Sequence, residues 1–127
     1  MKTAILASID LFESISQRLA AAVEAGTIQE RSDILALRRE QETAIEVLHD
    51  AVVEALAHAQ APARQELEPQ VQERLQTMRR AILLHQGKWP AVLIASDPDG
   101  FLDSARRTRL QKTAALDWIR REVLPRI

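Results

Sequence analysis

The sequence predicts an all-α fold: an antiparallel helical bundle of three to four helices, with a short apolar helix before the last. Three observations carry this. Ala, Leu, Arg, Glu and Gln dominate the chain, and all of them favour helix. Three Gly, five Pro and 3% aromatic residues are too few for a β-sandwich with many turns. Large apolar residues recur at steps of three and four, the pattern of a helix with one buried face.

Residues 3–25 read as a first helix, with Ile5, Ile9, Phe12, Ile15, Leu19 and Val23 on one side. Ser16 falls in the gap of that stripe. The run Ala20–Ala22 offers a low surface for close approach of another helix. Gly26 suits the position just past a helix end, where a left-handed backbone is needed. A second helix of about 30 residues, roughly 45 Å long at about 1.5 Å per residue, is expected from Thr27 to His58. Thr27 and Glu30 have the spacing of a capping box. Ile34, Leu37, Ile45, Leu48, Val52 and Leu56 form its apolar face. Arg38, Arg39, Glu40, Glu42, Glu46, Asp50 and Glu54 lie mostly off it. The short connection at Gly26 makes the first two helices an antiparallel hairpin.

Large apolar residues disappear from Ala57 to Ala63, which marks the next turn. A third helix runs to Gln86, with Val71, Leu75, Met78, Ile82 and His85 in step and Gly87 ending it. Pro69 either opens the regular part of this helix or kinks it; a proline is tolerated in the first turn and costs about 3 kcal/mol deeper in. Pro90 suits the start of a brief helix in the apolar stretch 88–96. Asp97 followed by Pro98 is a helix-start signal. The last helix then runs to about Val123, before Pro125. Its apolar residues are Phe101, Leu102, Ala105, Leu110, Ala115, Leu116, Trp118 and Ile119.

A length of 127 residues fits one domain spanning 1–127. Apolar residues at 46% and charged residues at 28% are ordinary for a folded soluble chain. With no cysteine, disulfides, thiolate metal sites and a cysteine nucleophile are excluded. The longest apolar runs, Leu19–Val23 and Ala91–Ala95, are five residues each, against about 20 for a membrane span. Asp10 interrupts the amino-terminal apolar stretch, making it a poor signal peptide, so a cytoplasmic location is expected. Charge is uneven. Residues 1–78 hold 7 Lys/Arg and 13 Asp/Glu, a net −6; residues 79–127 hold 10 and 5, a net +5; together they give the −1 of the whole chain. Either the acidic early helices pair with the basic late one inside the fold, or the carboxyl end presents a basic partner-binding surface.

Glu46 and His49 have the Glu-x-x-His spacing of ferritin-like di-metal sites, but no second such pair exists, so no metal site is expected. Asp97 and Asp99 lack the further ligands of a calcium loop and are read as turn residues. Arg106, Arg107, Arg109 and Lys112 could meet phosphates, yet no stacking aromatics or helix-turn-helix signature accompany them, and no nucleic-acid partner is expected. No convergent acid–base or nucleophilic constellation is visible, so the expectation is a protein that is not an enzyme, with no cofactor. His85-Gln-Gly-Lys88 resembles the His-x-x-Lys pattern of histidine phosphotransfer domains, in which the His accepts phosphate and the Lys helps neutralise it. Here Trp89 follows the Lys where that family has a small residue.

The stretch Leu19-Ala-Ala-Ala-Val-Glu-Ala-Gly26, followed by Asp33-Ile-Leu-Ala-Leu-Arg-Arg39, resembles flagellar export chaperones of the FlgN/FliT type over residues 1–86. That resemblance implies a non-enzymatic protein that holds a segment of an export substrate. The expected function is therefore protein binding, with a phosphorelay bundle using His85 as the alternative. Trp89, Val92, Leu93 and Ile94, with Arg106 and Arg109 as a polar rim, are the candidate partner-binding residues. They are expected either to close the end of the bundle or to dock a partner segment or a second copy, giving a homodimer.

Overall fold

The computed structural model describes residues 1–27 and 31–127. Its elements are α1 (Lys2–Glu24), α2 (Arg31–Ala57), α3 (Ala61–Lys88), the short α4 (Ala91–Ser96) and α5 (Pro98–Trp118). A π turn (Ile119–Val123) and a 3₁₀ turn (Leu124–Arg126) continue α5 to the carboxyl end. The fold is all-α, and no helix among the described residues is long and apolar enough to cross a membrane.

The helix ends follow from local chemistry. Gly26 has φ +68°. It donates to the Val23 carbonyl at 3.1 Å while Thr27 N–H reaches Ala22 O at 3.0 Å, so the last carbonyls of α1 are satisfied by a left-handed glycine cap. The Thr27 hydroxyl also donates to Ala22 O, at 3.1 Å, and so serves the end of α1. The expected capping box with Glu30 falls on residues outside those described. Asp97 Oδ1 accepts from Gly100 N–H at 3.0 Å and Pro98 sits in the first turn, as the sequence signals. Pro90, expected inside the first turn of α4, stands just before it as the N-cap residue.

α3 starts with Pro62 in its first turn and runs on through Pro69. Leu67 and Val71, on either side of Pro69, are both buried, so packing holds the helix across the missing hydrogen bond. Gly87 was expected to end α3, but the helix continues to Lys88. Trp89 N–H caps it by donating to the carbonyls of His85 and Gln86.

The four long helices alternate up and down around a square. Ser16 and Arg18 of α1 face Gln41 and Glu40 of α2; His49 and Gln41 of α2 face Gln72 and Gln86 of α3. His85 of α3 meets Ser104 of α5, while Arg74 lies over the Trp118 ring. Glu13 and Ser16 of α1 meet Arg120 and Lys112, which closes the ring. In each pair of helices the partner numbers run in opposite directions, the mark of antiparallel packing.

The core has two parts. The larger joins Ile5, Ile9 and Phe12 of α1, Leu48 and Val52 of α2, Val71 and Met78 of α3, and Leu116, Ile119 and Val123. The smaller sits at the other end, with Val23, Ile34, Ala91, Ile94 and Phe101 buried and Leu19, Trp89, Leu102 and Ala105 packed on it. Leu110, expected on the apolar face of α5, is 73% exposed. The buried stripe of α5 passes instead through Phe101, Ala105, Thr108 and Ala115, and Leu110 lies about 200° from Thr108 at about 100° per residue. Thr108 is tolerated inside because its hydroxyl donates to the Ser104 carbonyl at 3.0 Å.

Candidate functional site

Between the two core parts, the inward stripes of all four helices carry polar residues at one level. On α1, Ser16 falls between Phe12 and Leu19. On α2, Gln41 stands one turn before Ile45, and its side chain is 6% exposed. On α3, His85 follows Ile82, and on α5, Lys112 follows Thr108. Their helical positions turn all four side chains inward; Gln41 is buried and the other three are half-buried.

They form a connected layer. Ser16 Oγ accepts from Gln41 Nε2 at 3.0 Å and from Lys112 Nζ at 3.3 Å, while the Ser16 hydroxyl donates to the Phe12 carbonyl at 3.1 Å. Gln86 Nε2 donates to Gln41 Oε1 at 3.3 Å. Lys112 Nζ also lies 5.8 Å from the centre of the Phe12 ring, a cation–π approach. From α2, Arg38 Nη2 donates to the Trp89 carbonyl at 2.5 Å, and Arg38 Nε is buried with no hydrogen-bond partner among the described residues. His85 Nδ1 is 2.8 Å from Ser104 Oγ, and its ring stacks at a tilt on Phe101, 5.3 Å between centres.

Ser16, Arg38, Gln41, His85, Gln86 and Lys112 line a cavity of about 30 Å³ with Ile15, Leu19, Ala20, Leu37, Phe101 and Ala105. Among the described residues, none of its walls is an Asp or Glu. The electrostatic consequence falls on the pKa values of its members. Burial, and then the charges of Lys112, Arg38 and Lys88, pull His85 down to about 4. Burial and the nearby Arg109 pull Lys112 down to about 8. Burial also lowers Arg38. Two cations, Arg38 and Lys112, thus face a neutral His85, and the described walls of the cavity supply no countercharge.

Two open grooves flank the layer. One, of about 170 Å³, lies between α1 and α5. Phe12, Ala20, Leu102, Ala105 and Leu116 supply apolar walls; Arg106, Arg109 and Lys112 form the cationic side, and Glu13 and Glu24 stand on α1. The other, of about 540 Å³, lies between α3 and α5 and includes Leu84, His85, Lys88, Trp89, Ser104 and Arg107. The charge asymmetry of the chain is only partly absorbed in the fold. Arg120 pairs with Glu13, and Arg126 with Glu66 at 2.8 Å. Arg106 is held by Asp103 on its own helix. Among the described residues, Arg107, Arg109 and Lys112 pair with no carboxylate.

The structure divides the residues expected to bind a partner. Ile94 is buried, and Trp89 is half-buried with its ring edge-on to Phe101 at 6.1 Å. Val92 and Leu93 are 73% and 44% exposed. Arg106 and Arg109 belong to the α1–α5 groove. Trp89, Ala91 and Ile94 therefore close the end of the bundle, and Val92 and Leu93 remain outside. His49 lies near Asp50 and Gln72, and no cluster able to hold a metal ion occurs among the described residues. The polar layer went unread in the sequence except for His85 and Ser16. The available signal was the 4-3-4-3 stepping of Phe101, Ala105, Thr108, Lys112 and Ala115, which puts a lysine on a buried stripe.

No family model, curated protein or solved structure matches the chain.

Proposed function

We propose that this chain is a non-enzymatic protein-binding bundle that holds an acidic, amphipathic segment of a partner in the α1–α5 groove. The observation that carries the reading is the α5 wall. Arg106, Arg109 and Lys112 follow one another at helical steps beside Leu102, Ala105 and Leu116, and neither Arg109 nor Lys112 pairs with a carboxylate among the described residues. An apolar strip edged by free cations complements a helix with Leu and Glu along one side. The resemblance to FlgN/FliT-type chaperones makes an export-substrate segment the first partner class to test.

A photo-crosslinking residue placed at Leu102 should capture a partner in the protein's own cells, and mass spectrometry should place the crosslink in an acid-rich helical segment. Arg109→Glu should abolish that product. Crosslinks from the outward-facing Leu110 with none from Leu102, or a basic captured segment, would remove the reading.

A second reading rests on α3 running unbroken past Gly87, which sets His85 and Lys88 one turn apart on the same α3–α5 groove. A neutral imidazole there could accept a phosphoryl group. Acid-labile phosphate that appears with a phosphodonor and is lost in His85→Ala would favour this phosphorelay function over partner holding.

A further inference from the structure

The cavity has donors in excess and no anion. Its acceptors are neutral, and two of them are already engaged: Ser16 Oγ takes two donors, and Gln41 Oε1 takes one from Gln86. Arg38 Nε has no hydrogen-bond partner among the described residues. A buried donor left unsatisfied is costly, and buried cations without a counterion are costlier still. The group that completes such a site is a negatively charged acceptor. Its size is limited by a volume of about 30 Å³, where about 10–15 Å³ on the same measure holds one water, so it has room for about two water-sized groups. Phosphate and sulfate exceed this, whereas one carboxylate group is of the right order.

The cavity and the α1–α5 groove share Ser16, Ala20, Ala105 and Lys112 as walls. The two alanines give that shared boundary short methyl side chains. Beyond it lie Phe12, Leu102 and Leu116. A ligand entering from the groove would meet apolar surface along its stem and Lys112, Arg38 and Gln41 at its head.

We infer that this cavity is a binding site for a single carboxylate carried on a narrow apolar stem. The chemistry is shared by a short free monocarboxylic acid and by a glutamate side chain of a segment lying in the groove. The inference stands on the cavity itself and does not require a protein to occupy the groove.

The test uses the full chain at pH 7 and constant ionic strength. Propionate and butyrate report the free acid; N-acetylglutamate amide, against its glutamine counterpart, reports the side-chain form. At least one of these carboxylates should raise the melting temperature saturably, while matched chloride and the glutamine compound should not. Lys112→Gln should weaken the effect roughly tenfold or more, the scale of a charge-assisted hydrogen bond. Arg38→Gln provides a second disruption from a different helix. Bound carboxylate should also move the His85 ring titration upward by NMR, a change that general stabilisation would not produce. Saturation by propionate or butyrate alone identifies a free acid; saturation by the glutamate compound alone identifies a side chain. Equal response to chloride, no saturation with any carboxylate, or an unchanged response in both variants would overturn the inference and leave a cavity that holds water only.

Discussion

Lys112 Nζ on α5 donates to Ser16 Oγ on α1 at 3.3 Å, so a charged group of one helix is held by a neutral hydroxyl of another. The bond satisfies a donor but leaves the charge uncompensated, and burial together with Arg109 lowers the ammonium to about 8. A group whose folded-state value lies below its unfolded value near 10.5 favours the native state only when deprotonated. That contribution is complete above about 10.5 and is lost as pH falls toward 8.

At pH 7 the charge on Lys112 therefore opposes folding. Lys112→Met should raise stability at neutral pH by about 1–3 kcal/mol, less than full linkage because the side chain keeps some water contact. Between pH 8 and 10 the parent should gain on the variant. The measurement is the denaturant midpoint of both chains across that range. A variant less stable than the parent at pH 7 would mean that the ammonium is well compensated.

His85 gives the complementary window. Its ring is faced by Lys112 and Arg38 from the other helices and by Lys88 from its own, and is pulled down to about 4. The unfolded chain takes up a proton near pH 6.5, while the native ring stays neutral until about pH 4. Stability tied to His85 is present above 6.5 and is lost progressively as pH falls from 6.5 to 4. His85→Gln should flatten that part of the profile by about 1–3 kcal/mol relative to the parent. The variant also reports on the second functional reading, because it cannot carry phosphohistidine.

The bundle was legible because apolar residues announce their own face. Ile5, Ile9 and Phe12, or Ile45, Leu48 and Val52, fall at helical steps and are buried. The glycine cap at Gly26 and the aspartate cap at Asp97 were equally legible, since each depends on a few adjacent residues. The polar layer was not. Gln41, Arg38 and Lys112 have the composition of a solvated surface, and only their register with residues distant in sequence places them inside. Leu110 is the converse case: an apolar residue that periodicity around Phe101 and Ala115 would have excluded. Residue type and register disagree at these positions, and packing followed register.

Leu48 lies at the centre of the larger core part and is fully buried. Leu48→Asp removes its packing and inserts a carboxylate where no polar partner is within the apolar cluster. The expected loss is about 3–5 kcal/mol. A thermal melt within a couple of degrees of the parent would contradict the assignment of that face.

Trp89 joins the end of α3 to the start of α5. Its carbonyl accepts from Arg38, its ring lies edge-on to Phe101, and a methyl group added at Gly100 would come within 2.7 Å of the indole. The indole therefore packs where both helices and α4 converge, and its removal opens a cavity over the smaller core. Trp89→Ala should cost about 2–4 kcal/mol, somewhat less than a fully buried tryptophan because the ring is half-exposed. Its apparent mass by light scattering should not change. Val92 and Leu93 supply the contrast, since they face outward from the same short helix. A double substitution Val92→Ser and Leu93→Ser should leave the melting temperature within a few degrees of the parent. If these two residues also join copies of the chain, the double variant should shift a dimer to monomer in the same measurement. Loss of stability from Trp89→Ala with unchanged mass separates end closure from docking. A stable Trp89→Ala monomer drawn from a dimeric parent would reverse that assignment.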